Sequence, residues 1–246
     1  SEGCLMTERY LRQIPVIGDD GQKKLEEATV FLAGCGGLGS PVAFYLAAAG
    51  VGHLRIADCD VVEETNLNRQ ILHRPDRIGM PKAASAKLTL EAFNPDIDVT
   101  AFSAFIDRNT VRRMIGDADI IVDAMDNFSA RYILNEISQT LDIPLMHGGV
   151  AGLTGQVALI IPRKTACLSC IFPDAKTTTV TPILGAAAGV IGSIQAEETI
   201  KYLTGTGDTL AGKLLLWDGA VNRMDVFSVK KSRRCPVCSN ICEDKP

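Results

Sequence analysis

The sequence predicts an α/β protein with one mixed sheet, parallel in its N-terminal half and extended by antiparallel strands in its C-terminal half, with helices on both faces. Short β-type runs alternate with helical segments as far as about Gly148, which is typical of βαβ units. A glycine-rich turn joins an early strand to the helix that follows it. Glycine accounts for 22 of 246 residues and aromatic residues for only 5%, which favours glycine-rich ligand loops over an all-β binding module.

Local signals predict the elements in chain order. Thr29–Ala33 is an apolar β-type run, and the helix after it, residues 40–49, has Ser40 as its expected N-cap and Gly50 at its end. The alternation continues with strands at 53–57, 120–122 and 144–146 and helices at 82–93 and about 129–141. Beyond these, the antiparallel extension is predicted from strands at 156–161, 213–217 and 226–229 around one long helix at 186–203. No linker or repeat is present in the sequence, so we expect one domain.

Charge and hydropathy narrow the possible classes of function. The 25 basic and 29 acidic side chains give a net charge of -4, whereas proteins that bind nucleic acids through the phosphates are normally basic. The longest uncharged run, residues 177–196, contains Pro182 and three glycines, so we expect a loop and a packed helix there and no membrane span. The first residues are charged and lack an apolar core, which argues against a secretory signal. We therefore expect a cytoplasmic protein whose cysteines are mostly reduced or metal-bound.

A glycine-rich turn marks the candidate nucleotide site. Gly34, Gly36 and Gly39 form a G-x-G-x-x-G pattern that also includes Gly37 and lies between a strand and a helix. Such glycines let the backbone approach phosphates, and the helix N-terminus supplies partial positive charge. Asp58 ends the next predicted strand, which is the usual position of a carboxylate that binds ribose hydroxyls. The motif predicts a nucleotide, and taken alone it fits NAD as well as ATP.

Polar and basic residues downstream of the second strand favour a triphosphate. Arg69 can donate two hydrogen bonds to phosphate oxygens, and Lys82 places a compact charge near a helix start. Asp126 follows a parallel strand, at the sheet edge where ligands bind, and a carboxylate there can hold Mg²⁺. Each residue has an ordinary alternative. Arg69 and Lys82 could be solvated surface cations, and Asp126 or Asn127 could simply cap the next helix.

Two C-x-x-C pairs form a second candidate site, namely Cys167 with Cys170 and Cys235 with Cys238. Four thiolates satisfy a tetrahedral zinc ion and leave no open position for catalysis. The pairs therefore predict a structural Zn²⁺ site that ties the C-terminal segment to the body of the protein. The alternatives are a redox dithiol or a chance arrangement.

Several motifs together resemble one family over almost the whole chain, from about Glu8 to Cys238. In order they read RYLRQI, GCGGLG, DCD with NLNRQ, GMPK and DAMDN, followed by GVIGSIQAEETIKYL and the cysteine pairs. These are similar to the successive motifs of the MoeB/ThiF/HesA family, the bacterial and archaeal relatives of ubiquitin-activating enzymes. The resemblance implies a Rossmann-like fold in which residues 1–246 form a single adenylation domain that works as a homodimer.

The same resemblance implies an activity. ATP adenylates the C-terminal carboxylate of a small ubiquitin-like sulfur-carrier protein that ends in Gly-Gly, and pyrophosphate is released. By position in the motifs, Asp58 would bind the ribose, Asp126 would hold Mg²⁺, and Arg12 would reach the phosphates from the partner subunit. The remaining nucleotide contacts would come from Asn66, Arg69, Gln70 and Lys82. Such a reaction requires charge neutralisation and positioning more than a general base.

The sequence departs from part of this family in one loop. Some members carry a cysteine before the long helix that links covalently to the carrier, whereas no cysteine lies between Cys170 and Cys235 and the corresponding segment contains threonines. Hydroxyls are far weaker nucleophiles than thiols at neutral pH, so we expect no thioester there. The other cysteines divide into two expected to be packed, Cys35 and Cys59, and two loose ones, Cys4 and Cys242.

Three other functions remain open from the residues alone. A related enzyme would adenylate a different carboxylate, on a peptide or a modified tRNA base. An NAD-dependent oxidoreductase with a structural zinc would leave Arg69, Lys82 and Asp126 unexplained, and a non-catalytic scaffold that binds the carrier would not require them. His147, which follows a parallel strand, is expected to be a core or loop histidine more than a pocket residue.

Overall fold

A computed structural model of the protein describes residues 8–176 and 182–239, which form one eight-stranded mixed sheet. The strands are β1 (Thr29–Ala33), β2 (His53–Ala57), β3 (Asp98–Phe102), β4 (Ile120–Asp123), β5 (Leu145–Ala151), β6 (Thr154–Ile160), β7 (Lys213–Asp218) and β8 (Arg223–Ser228). Their order is β3-β2-β1-β4-β5-β6-β7-β8. Pairing is parallel from β3 to β5 and antiparallel from β5 to β8. The predicted mixed sheet is confirmed.

Helices connect these strands. They are α1 (Ile14–Glu27), α2 (Gly39–Ala49), α3 (Lys82–Phe93), α4 (Val111–Ile115), α5 (Phe128–Leu141), α6 (Leu168–Ile171) and α7 (Gly185–Thr204). The longest is α7, with 20 residues. Within the described part of the chain, no helix is both long enough and apolar enough to cross a membrane.

The sheet separates two hydrophobic cores because successive strand side chains point to opposite faces. Val30 and Leu32 of β1 pack into the first core, together with side chains of α2, α3 and α7. Phe31 and Ala33 pack into the second core, with side chains of α4, α5 and α6. All four are at 0% exposure. Helices therefore cover both faces, as predicted.

The expected N-cap of α2 is wrong. The helix begins at Gly39, one residue earlier than predicted, and its N-cap is Leu38 without a side-chain hydrogen bond. The Ser40 hydroxyl instead donates to the Gly36 carbonyl, at 2.7 Å. The predicted end is confirmed, since Gly50 adopts the left-handed conformation with φ of +81°.

Four elements were not predicted, namely α1, β3, α4 and α6. Helix α1 is mostly polar on its exposed side and is kinked at Gly18, whose φ is +76°. Strand β3 lies at the edge of the sheet, and Val99 is its one fully buried residue. Helices α4 and α6 are only five and four residues long. Elements that are so short or bury so little lack the continuous apolar pattern on which sequence reading depends.

Candidate active site

A cavity of about 1200 Å³ lies at the carboxyl ends of the parallel strands, the edge where ligands bind in open α/β sheets. The loops that follow β1, β2 and β4 supply much of its wall, and residues of β5 to β8 supply the rest. Eight predicted site residues line it, namely Gly34, Gly36, Gly37, Asp58, Arg69, Gln70, Lys82 and Asp126. The predicted residues Gly39, Asn66 and Arg12 are not part of the lining.

The glycine loop is too tight for side chains at two positions. Gly34 has a φ of +99°, and a Cβ there would lie 2.7 Å from the Ala124 carbonyl oxygen. A Cβ on Gly39 would overlap the carbonyl oxygen of Gly34. Gly36 and Gly37 line the cavity with backbone alone. The loop therefore exposes its backbone, without side chains, at the cavity wall beside the N-terminus of α2.

Asp58 is fixed beside this loop by two backbone N–H groups. Its Oδ2 accepts a hydrogen bond from Cys35 N at 2.8 Å, and its Oδ1 accepts from Asp60 N at 2.9 Å. Burial raises the pKa of Asp58, and the two N–H donors oppose that shift. Cys35 is buried as expected, whereas Cys59 is exposed. The expectation that Cys59 is packed is wrong, because this loop holds Asp58 inward and leaves its neighbour at the surface.

Lys82 is a buried cation at the start of α3. Its Nζ lies 2.9 Å from Asp60 Oδ2, and its side chain is only 8% exposed. Its backbone N–H donates to the Asp60 carbonyl at 2.8 Å. The solvated-surface alternative is therefore wrong for Lys82. An ammonium withdrawn from water acts in a low-dielectric setting, where its attraction for phosphate is stronger.

Arg69 and Gln70 reach the cavity from one turn. Arg69 Nη1 donates to the Thr65 carbonyl at 2.9 Å and to Asn68 Oδ1 at 3.1 Å. Gln70 is buried, and its Oε1 has no hydrogen-bond partner among the described residues. Asn66 is buried in the turn itself, where its Oδ1 accepts from Glu63 N at 3.0 Å.

Asn127, not Asp126, caps the helix after β4. Asn127 Oδ1 accepts from Ala130 N at 2.9 Å, which is an N-cap hydrogen bond at the start of α5. Asp126 lines the cavity, and its Oδ1 accepts from Asn127 Nδ2 at 3.3 Å. The capping alternative thus holds for Asn127 and not for Asp126, which lines the cavity.

Arg12 lies apart from this constellation. It is exposed, in the turn before α1. The threonine segment 177–181 and the two cysteines expected to be loose, Cys4 and Cys242, lie outside the described residues.

The chain matches one protein family over most of its length. The model of the ThiF family matches residues 10–238. The chain belongs to the ThiF family. The match spans the glycine loop, the turn with Arg69, the buried Lys82 and both cysteine pairs.

Relatives of this ThiF-family chain carry related names. It is 38% identical to the SAMP-activating enzyme E1 of Haloferax volcanii, over 94% of this chain and 88% of the relative. It is 37% identical to the sulfur carrier protein adenylyltransferase of Thermus thermophilus, over 95% of this chain and 91% of the relative. The adenylyltransferase and sulfurtransferase MOCS3 of Drosophila sechellia is 40% identical, and the match covers 94% of this chain but only 53% of that protein.

Solved structures share the fold. The structure of E. coli MccB with ATP superposes with a TM-score of 0.83 and 25% identity, covering 95% of this chain and 75% of that chain. PaaA superposes with a TM-score of 0.78 and 28% identity, covering 92% and 74%. The Rossmann-like mixed sheet of a ThiF-family protein is therefore confirmed.

The structure gathers the four predicted metal ligands into one cluster. The Sγ atoms of Cys167 and Cys170 are 3.9 Å apart, those of Cys167 and Cys235 are 3.5 Å apart, and those of Cys170 and Cys238 are 3.4 Å apart. All four Sγ atoms lie within 4.8 Å of one another. Thiolates about 2.3 Å from a tetrahedral zinc ion are separated by similar distances. Burial raises the pKa of Cys167 to about 11.

A buried polar group that no local sequence pattern predicts lies beneath the cavity. Asp123 and His147 are both fully buried, and Asp123 Oδ2 lies 2.7 Å from His147 Nδ1. Arg131, also buried, lies with its Nε 3.8 Å from the same carboxylate oxygen. The expectation of a core histidine at His147 is confirmed. Only the register of β4 with β5, which pairs Asp123 with His147, could have revealed the contact.

A second buried histidine supports the glycine loop. His73 Nε2 lies 3.0 Å from the Cys35 carbonyl oxygen, and its Nδ1 lies 3.0 Å from Ser85 Oγ. Since a carbonyl only accepts, Nε2 carries the proton and Nδ1 accepts from the hydroxyl. Burial lowers the pKa of His73 to about 4. A neutral imidazole therefore links the loop to α3, the helix that begins with Lys82.

Proposed function

We propose that this ThiF-family chain is an ATP-dependent adenylyltransferase that acts on the C-terminal Gly-Gly carboxylate of a small ubiquitin-like sulfur-carrier protein. The observation that carries the proposal is one cavity whose wall combines a bare glycine loop, the buried Lys82, Arg69 and the Asp126 carboxylate. Relatives that match over most of their length are named a SAMP-activating enzyme E1 and a sulfur carrier protein adenylyltransferase. The cavity and the names point to the same chemistry.

The proposed reaction is a displacement at the α-phosphate of ATP. A carboxylate oxygen of the carrier bonds to the α-phosphorus, the bond from that phosphorus to the bridging oxygen breaks, and pyrophosphate leaves with the electron pair. A carboxylate is already deprotonated at neutral pH, so no general base is required. Lys82 and Arg69 neutralise charge on the phosphates. Mg²⁺, when held by Asp126, supplies further neutralisation.

The remaining proposed nucleotide contacts come from other residues at or near the cavity wall. Asp58, fixed by two N–H groups, presents a carboxylate to the ribose hydroxyls. Gln70 has a buried acceptor with no partner among the described residues, and a nucleotide hydroxyl or amino group can satisfy it. Asn66 acts through its turn, because its backbone carbonyl accepts from Arg69 N at 3.1 Å and from Gln70 N at 2.9 Å. The proposed role of Asn66 is thus to shape the turn instead of touching phosphate.

We propose that the four-cysteine cluster holds a structural zinc ion. The cluster joins the residues after β6 to those after β8. Ser232 N donates to Cys170 Sγ at 3.4 Å, which is the kind of N–H contact that steadies a thiolate ligand. A reducing compartment such as the cytoplasm keeps such thiols available for the metal.

The proposed enzyme is a homodimer in which Arg12 serves the cavity of the other copy. Arg12 is exposed and outside the lining of its own cavity. Its neighbours Leu11 and Val16 expose 57% and 70% of their surface, which an interface would cover. Mixing Arg12→Ala chains with Lys82→Ala chains is expected to restore activity, because some mixed dimers then hold one intact site. A fully active monomer would contradict this arrangement.

The test of the function combines binding and exchange. Calorimetry is expected to show binding of ATP with Mg²⁺ and no preference for NAD. Isotope exchange between pyrophosphate and ATP is expected only with a carrier that ends in Gly-Gly, and the same carrier without its last glycine is the matched control. Tight binding of NAD without binding of ATP would refute the proposal. Exchange that depends on a short peptide, and on no carrier, would favour the alternative carboxylate substrate.

A further inference from the structure

Side chains hydrogen-bond to both the backbone N–H and the backbone carbonyl of Met125, the residue before Asp126. Met125 N donates to Asp123 Oδ1 at 3.0 Å. The Met125 carbonyl accepts from Arg131 Nε at 3.1 Å and from Arg131 Nη2 at 2.6 Å. This carbonyl belongs to the peptide bond that leads directly into Asp126. The backbone that presents the Asp126 carboxylate is therefore fixed by one buried aspartate and one buried arginine.

His147 completes this group and fixes its own tautomer. The Asp123 carboxylate can only accept, so His147 Nδ1 carries the proton in the 2.7 Å contact. His147 Nε2 is then an acceptor, and it lies 3.2 Å from Gln156 Nε2, which donates. Gln156 and Arg131 both line the cavity. A continuous set of hydrogen bonds thus runs from the cavity wall through His147 to Asp123 and on to Met125.

Packing alone does not account for the arrangement. The side chains of Asp123 and His147 are at 0% exposure and that of Arg131 is at 8%. Buried charges are costly to desolvate, and apolar residues of similar volume often stabilise a core as well or better. Here the hydrogen bonds of Asp123 and Arg131 are made to one short segment, residues 123–126, whose last residues line the cavity. These hydrogen bonds fix the backbone geometry of that segment.

We propose that Asp123, His147 and Arg131 are positioning residues that fix Asp126 where it can hold Mg²⁺. This inference rests on the proposed function, because it assigns Asp126 to the metal. It adds that the metal affinity of the site is set by buried groups that do not touch the metal. His147 acts through Asp123, and Asp123 and Arg131 act through the peptide groups of Met125.

The experiment compares two substitutions at His147. His147→Asn keeps an N–H donor near the position of Nδ1, whereas His147→Leu removes it. Substituting residues that orient a metal ligand without touching the metal typically lowers metal affinity by about 10-fold or more. We expect His147→Leu to raise the Mg²⁺ concentration for half-maximal exchange by on the order of tenfold, with a much smaller change in the KM for ATP. His147→Asn is expected to stay close to the wild-type value.

A double-mutant cycle with Asp126→Asn separates positioning from general destabilisation. If His147 acts only through Asp126, adding His147→Leu to Asp126→Asn raises the Mg²⁺ requirement no further. Val99→Ala, a buried change in β3 far along the sheet from β4, is the control that lowers Tm without touching this group. Fully additive effects, or an unchanged Mg²⁺ requirement in His147→Leu, would overturn the inference.

The same variants are titrated with Mn²⁺ in the presence of a nonhydrolysable ATP analogue, with free Mn²⁺ followed by electron paramagnetic resonance. This readout needs no turnover. Failure of the proposed function appears as wild-type protein that shows no exchange with any carrier. The Mn²⁺ affinities still decide the inference in that event, since weaker Mn²⁺ binding by His147→Leu than by His147→Asn supports it and equal binding refutes it.

Discussion

The two halves of the sheet are stabilised in different ways. In the parallel half, β4 is buried at every position and β1 at every position except Thr29, and both strands lie between two layers of helices. In the antiparallel half, every residue of β8 except Asp225 is exposed. The chain after β8 is tied to the second core by the four-cysteine cluster. The parallel half is thus held by apolar burial, whereas β8, at the outer edge of the antiparallel half, buries little and precedes the second cysteine pair.

The predicted site residues follow the same division. Asp58, Lys82 and Asp126 all line the cavity. Asp58 follows β2 and Asp126 lies just beyond β4, and both strands are mostly buried. The outer half contributes Leu216, Trp217 and other side chains to the far wall of the cavity. We therefore expect changes in the parallel half to affect catalysis first and changes at the cysteines to affect stability first.

The largest expected effect is on catalysis, at Lys82. Lys82→Ala removes a buried ammonium from the cavity, and the rate of adenylate formation is expected to fall by about 10²- to 10³-fold. Lys87→Ala, on the same helix but 41% exposed and paired with Glu91, is the matched control and is expected to keep wild-type rates. Single-turnover measurement of the acyl-adenylate checks both. Loss of less than about tenfold in Lys82→Ala would break the proposed division between the halves.

The second prediction concerns the metal. Cys170→Ser is expected to abolish zinc binding and to lower the free energy of unfolding by more than about 4 kcal/mol, since loss of a metal is among the most destabilising changes. Its effect on exchange in the native state is expected to be smaller than that of Lys82→Ala. Elemental analysis and hydrogen exchange near β7 and β8 provide the measurements. Cys59→Ser, at an exposed thiol outside the cluster, is the control and should keep its zinc.

The third prediction compares the stability effects of adding a Cβ at two glycines, one tightly packed and one not. Gly39→Ala places a Cβ against the Gly34 carbonyl and is expected to destabilise the protein by about 1–3 kcal/mol. A Cβ added at Gly189 in α7 would meet no atom of the described residues within 4 Å beyond its own stretch of helix. Gly189→Ala is therefore expected to be neutral or to stabilise by up to about 1 kcal/mol. Chemical denaturation measures both, and equal destabilisation would show that the glycine loop has more freedom than its contacts imply.

The last prediction concerns acid and His73. Its pKa is lowered from 6.5 to about 4 in the folded protein by burial. The unfolded chain therefore binds this proton first, so the stability from neutral His73 is fully present above about pH 6.5 and is lost as pH falls towards 4. His73→Gln keeps a donor for the Cys35 carbonyl without titrating. We expect urea unfolding of this variant to depend less on pH between 6.5 and 4 than wild type. His53→Gln, at an exposed strand end, keeps the His73 contacts and is the matched control.

The sequence predicts an element correctly where its pattern is complete within a few residues. The strands at 29–33 and 53–57 and the helix at 82–93 have the predicted bounds, because each is an uninterrupted run with clear ends. The sequence predicts that β8 begins at residue 226, whereas it begins at Arg223, since an exposed strand has no buried face to mark it. The glycine loop and the cysteine pairs are also predicted correctly, because each motif is complete within a few residues.

By itself, the sequence determined which side chains are available at the carboxyl edge of the sheet and which four thiols can meet. Strand order and the direction of parallel strands place such residues together without further information. Only the tertiary structure decided how each is used. It directs Lys82 onto Asp60, gives the helix cap to Asn127 and joins Asp123 to His147. Those contacts depend on register and on which loops pack side by side, and they are made between residues that no local pattern connects.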